Sequence, residues 1–261
     1  MTVLKHELRQ GSLAFWIWTA SIGCLLAICI FLFPEMKGEM QDVSEVFASM
    51  GSFTAAFGMD RLNFGTLIGF YAVECGNVVG LGGAFYAALC GIQALAKEER
   101  DRTAEFLLAH PISRTRVVAE KLLAVMVQIG SMNLLLWALA LAAMAAIGEE
   151  VPWKECNLLH LAYGLLQVEL GCVCFGLSAF IRRGGLGIGL GLAVMAYFLN
   201  LIANLSDRTA FLKYFTPFAY AEGADIVERG ALDGGLLLLG MSVGVLAAAA
   251  GWSWYCRKDL S

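Results

Sequence analysis

Two carboxylates, Glu74 and Glu169, stand inside otherwise uncharged stretches of the 261-residue chain. An ionisable side chain in such a run is costly to leave in hydrocarbon, so it faces protein or water and marks a pathway, an ion relay or a polar seam. Asn77 follows Glu74 one helical turn later and Gln167 lies just before Glu169, so each carboxylate has an amide close by in sequence. A substrate pathway or a dimer seam is the functional reading for these four residues. Solvation near an outer mouth is the plainer account of Glu74, and the seam is the account of Glu169.

Other chemistry is poorly supported. The chain has no G-x-x-x-x-G-K-[ST] phosphate loop and no Gly-Lys dipeptide at all, so hydrolysis of ATP by the usual phosphate-loop route is excluded. His6, His110 and His160 are far apart and fall on different sides of the expected topology. Seven of the eight cysteines lie in or at the edge of apolar runs, where cysteine packs as a small hydrophobe. Cys156 is the one near an interface; Cys172 and Cys174, two apart on a helix, point to different faces. No metal or cofactor is expected on this chain, and no catalytic residue.

The elements that would hold these groups are membrane spans. Charged residues make up 15% of the sequence and hydrophobic ones 59%, against about 25% charged in a soluble domain. The expected fold is an all-α polytopic membrane protein, a single transmembrane domain over residues 1–261 with six spans at about 11–33, 65–96, 122–147, 157–181, 186–205 and 234–256. Leu4 and Leu8 with Lys5 and Arg9 suggest a short amphipathic surface helix ahead of the first span, with a plain charged tail as the alternative. Residues 35–61 read as an extracytoplasmic loop carrying a helix with Val43, Val46, Phe47 and Met50 on one face. The aromatic stretch FLKYFTPFAYAEGADIV, before the last span, suits a headgroup-level or re-entrant segment. With both termini inside, twelve of the eighteen Lys and Arg lie on the cytoplasmic side, as the positive-inside rule requires.

One charge-dense island, AKEERDRTAEFLLAHPISRTRVVAEKL at 96–122, separates two runs without any Asp, Glu, Lys or Arg. Residues 98–108 consist mostly of good helix formers, with Thr103, Phe106 and Leu107 on one face and Glu98, Arg102 and Glu105 on the other. Pro111 stops this helix and Ser113 can cap the next. From Arg114 that next helix should run unbroken to about Ile147, roughly 50 Å, and so overshoot the bilayer.

The segment from Glu98 through Arg102, Thr103, Glu105, Leu107, Leu108, Ala109, Pro111, Ile112, Ser113 and Arg114, followed by Lys121, resembles the E-x-x-x-x-T-x-E-x-L-L-A-x-P-[VI]-S-R motif of ABC-2 type permeases. Phe215–Thr216–Pro217–Phe218 and the ending Arg257–Lys258–Asp259–Leu260 are similar to that family as well; its usual glycine before the threonine is Arg102 here. The resemblance implies the membrane subunit of an ATP-binding-cassette exporter in the inner (plasma) membrane. It implies a second permease copy, as homodimer or related heterodimer, and separate cytoplasmic ATPase subunits holding ATP and Mg. It also implies that Glu98, Glu99, Arg102, Thr103, Glu105, Phe106, Leu107, Leu108 and Pro111 form a coupling helix that docks on the ATPase. Two rivals stay open: an ion-coupled secondary transporter using Glu74 and Glu169, and a non-transporting module that couples an ATPase to an extracytoplasmic event. No nucleic-acid partner is expected, because the basic residues form no stripe.

Overall fold

The computed structural model describes residues 2–97, 113–181 and 185–257, with the side chains of residues 2, 39–49 and 52 excepted. Six helices in it are long and apolar enough to cross a membrane, and no strand occurs among the described residues. The coupling segment expected at Glu98–Pro111 lies outside the described residues, as does the stretch 182–184.

The first helix, α1 (Thr2–Ser49), is one 48-residue element. Sequence patterning suggests a surface helix, a span and a loop helix as separate pieces, but neither Gly11 nor Pro34 breaks the chain. Proline removes one backbone bond, a loss that long membrane helices absorb. A short helix α2 (Ser52–Ala56) follows.

The second span is likewise not uniform. It comprises α3 (Leu67–Cys75), a π-helical stretch Gly76–Leu81, and α4 (Gly82–Ala94). Gly76, Gly80, Gly82 and Gly83 crowd this junction, and low helix propensity makes the register easy to change there.

After the undescribed segment, α5 (Arg114–Ala146) runs 33 residues, about 50 Å. Ser113 caps it by accepting from Arg116 N at 3.3 Å. Then come α6 (Trp153–Ser178), α7 (Gly185–Asn204), two 3-10 turns at Ala210–Phe215 and Pro217–Ala219, α8 (Gly223–Arg229) and α9 (Gly234–Arg257).

At the centre is α6, packed on α4 along one side and on α9 along the other. Both seams are made of small residues. A Cβ on Gly91 would overlap the Gly171 carbonyl, and one on Gly251 would strike the Gly176 backbone at 2.6 Å. In a bilayer, where apolar side chains gain nothing by leaving lipid, such close backbone approach supplies the packing. Leu13, Trp16, Ile17 and Phe31 of α1 and Leu238, Val245 and Leu246 of α9 point outward, as a hydrocarbon-facing belt does.

The bundle has two distinguishable ends. Glu7, Lys97 and Lys121 gather at one; Arg61, Glu222 and Asp225 gather at the other. At the Glu222 end the aromatic stretch divides. Phe211, Tyr214 and Phe215 stay exposed, while Phe218, Tyr220 and Ala221 are buried among α6 and α7.

Candidate functional site

The four polar residues read as a possible pathway or dimer seam tie different helices of the chain together. Glu74 accepts from the Cys29 thiol of α1, with Sγ at 3.8 Å. Asn77 Oδ1 accepts from Tyr197 OH of α7 at 2.8 Å. Gln167 Nε2 donates to the Val79 carbonyl in the π-helical stretch at 3.1 Å, and Gln167 Oε1 accepts from Asn133 Nδ2 of α5 at 2.7 Å. Glu169 accepts from Tyr220 OH at 2.9 Å and lies against Gly240 of α9.

These bonds meet the demand of backbone and side-chain polar groups in a medium without water. Glu169 is 6% exposed within the single chain, so the structure places it inside the subunit, between α6, α9 and the Tyr220 segment. Glu169, which Tyr220 OH reaches, lies beside Gly240, six residues or roughly 9 Å beyond the Gly234 start of α9. The segment therefore dips among the spans. A further buried pair, Tyr71 OH and His160 Nε2 at 2.6 Å, joins α3 to α6.

The Glu7 end frames the undescribed segment. Lys97, directly before it, donates to Glu7 Oε2 and to Gln10 Oε1, both at 2.6 Å. Lys121 of α5 donates to Glu7 Oε1 at 2.8 Å and to the Ala94 carbonyl at 2.8 Å. Its side chain is fully buried. One carboxylate from α1 thus holds both flanks of residues 98–112. Nearby, Glu120 accepts from Leu4 N at 3.0 Å and Arg116 Nε at 2.9 Å, and Leu95 N donates to Ser178 Oγ at 3.3 Å.

Sequence reading missed Glu7 as a site residue. The available signal was two lysines at the ends of uncharged runs, each of which needs an anion once buried.

At the opposite end Glu222 Oε2 accepts from Asn200 Nδ2 at 2.7 Å and Asn204 Nδ2 at 2.9 Å, and Asn204 also donates to the Ala56 carbonyl at 3.2 Å. Burial pushes the Glu222 carboxyl above its ordinary range, and the two amides pull it only partly back. Burial opposes the charge on Arg61, but its bond to Asp225 and the nearby carboxylates of Asp225, Glu222 and Asp60 together outweigh that and leave its pKa raised. Among the described residues no group of three or more His, Cys, Asp or Glu is placed to hold a metal ion.

The six spans and the buried polar tethers between them describe a multi-pass membrane protein in which one carboxylate bonds a lysine on each side of residues 98–112. Residues 1–224 match the family described as ABC-2 family transporter protein. No curated protein matches the chain.

Proposed function

The chain belongs to the ABC-2 transporter family, and from that premise we propose that it is the permease subunit of an ATP-driven exporter. Two permease copies, identical or related, form the pathway in the inner (plasma) membrane. Separate cytoplasmic ATPase subunits bind ATP and Mg and do the hydrolysis. The Glu7 end is the cytoplasmic one, so both termini face the ATPase, which agrees with the Lys and Arg distribution.

In this reading Glu98, Glu99, Arg102, Thr103, Glu105, Phe106, Leu107, Leu108 and Pro111 carry the contact with the ATPase. A mixed-charge face around one aromatic anchor suits a reversible protein interface. The observation that carries the proposal is the shared hold of Glu7 on Lys97 and Lys121. A segment fixed at both flanks transmits a push to α1, α4 and α5 instead of absorbing it. Of these, α5 runs the full height of the bundle, so closure of the ATPases would reach the far end through it.

The test is co-purification with a candidate cytoplasmic ABC ATPase. Phe106→Asp and Glu105→Arg should each lose the ATPase from the complex and abolish stimulated hydrolysis, while the permease remains folded in the membrane. Full retention of both properties sinks the assignment of residues 98–108.

A further inference from the structure

The first span packs along α5 yet barely meets α4, and between the three helices lies a cleft of about 330 Å³. Small residues keep its walls short: Gly11 and Ala14 on α1, and Ala124 on α5. Trp18 of α1 with Tyr86 and Leu89 of α4 give it an apolar and aromatic lining. From Gln10 to Trp18 the α1 wall runs roughly 12 Å at the helical rise.

Two amides on these walls are only half used. Gln128 Oε1 accepts from Tyr86 OH and Cys90 Sγ, each at 3.3 Å, and Gln10 Oε1 accepts from Lys97 Nζ at 2.6 Å. Nε2 of both side chains has no hydrogen-bond partner among the described residues. Gln128 Nε2 lies against Gly11, 2.5 Å from where a Cβ on that residue would stand. An N–H at membrane depth is costly unless something accepts from it. Gly11 is four residues, roughly 6 Å, further along α1 than Glu7, whose carboxylate marks the charged end of the bundle. A headgroup layer is itself roughly 5–8 Å thick. Gln128 therefore stands at the depth of the ester carbonyls that join acyl chains to glycerol.

We infer that the cleft binds a diacyl glycerolipid, whose two ester carbonyls accept from Gln10 Nε2 and Gln128 Nε2 while an acyl chain lies along Trp18, Tyr86 and Leu89. Recognition is at the ester, below the headgroup. The inference stands on the cleft and its two amides and does not depend on the ATPase assignment.

The experiment uses the full chain in mild detergent, washed and then offered equal amounts of diacyl phosphatidylcholine and its dialkyl ether analogue. The two share headgroup and chain length, but the ether has no ester carbonyl. Retained lipid is counted by native mass spectrometry. The diacyl lipid should be retained about tenfold over the ether, the order expected of two hydrogen bonds. Gln128→Met should lower diacyl retention about fivefold, the factor for one neutral hydrogen bond, and leave ether retention unchanged. Equal retention of ester and ether by the wild type overturns the site, and so does unchanged diacyl retention, or a parallel loss of both lipids, in Gln128→Met. Should Gln128→Met prove unrecoverable, Ala14→Phe serves: Ala14 is exposed on the α1 wall, and a phenyl ring there takes up cleft volume while both amides remain. Loss of diacyl retention in that variant supports the site, and wild-type retention overturns it.

Discussion

Gln167 Nε2 reaches the Val79 carbonyl, 3.1 Å away, across a space that exists only because residue 83 has no side chain. The same amide group accepts from Asn133, so α4, α5, α6 and the π-helical stretch meet at one residue. Gly83→Ala would place a methyl group on the Gln167 amide and should cost about 1–3 kcal/mol. Thermal unfolding in detergent measures it. In a double-mutant cycle Gln167→Ala should remove most of that penalty; strictly additive effects would show that the two residues do not share the space.

At the Glu7 end the carboxylate neutralises a lysine with no exposed side-chain surface. Glu7→Gln removes the carboxylate that Lys97 and Lys121 share, and a loss of about 3 kcal/mol is expected for removing one partner of a buried ion pair. The double change Glu7→Gln with Lys121→Met should be less damaging than the sum of the single changes. Denaturation of the four proteins side by side tests the coupling, and its absence would mean that Lys121 draws its stabilisation elsewhere.

The pH dependence follows from Glu222. Its folded pKa is raised by burial, so the native state holds the proton more tightly than the unfolded chain. Its contribution is complete below the ordinary carboxylate value of about 4.3 and is lost as pH rises through the raised folded value. Glu222→Gln should therefore flatten the fall in stability across that window. Unfolding midpoints of both proteins over a pH series decide it: parallel curves would show that Glu222 titrates normally.

Tyr220→Phe removes the one hydroxyl that donates to Glu169 in the interior. A buried acceptor left without its donor costs about 1–3 kcal/mol, and the segment around Phe218 should loosen from α7. Faster amide hydrogen exchange across residues 216–221 than in the wild type is the expected readout, with unchanged exchange in α4 as the internal control.

The spans were legible because uncharged runs of membrane length leave few alternatives. The start of α5 was legible too, since Ser113 stands between a proline and a strong helix former. Other features were hidden for physical reasons. Glycine in a membrane segment is ordinary, so Gly76–Gly83 did not announce a π-helical change of register. Glu74, Asn77, Gln167 and Glu169 were visible as costly polar groups, but their partners were not. Each partner lies on another element, and helical periodicity reports neighbours on one helix only. Glu7 was hidden most completely, because its lysines follow it by 90 and 114 residues.

That separation also fixes a timetable for biogenesis. As the polypeptide emerges from the ribosome, Glu7 stays unmatched until the second span has been made and Lys97 follows it out. Lys121 arrives only with the opening turns of α5, so α1 cannot settle into its final place until the third span is under way. The Glu7 cluster can therefore close only once the chain through the start of the third span has been made, before α6 and its glycine-lined flanks have followed.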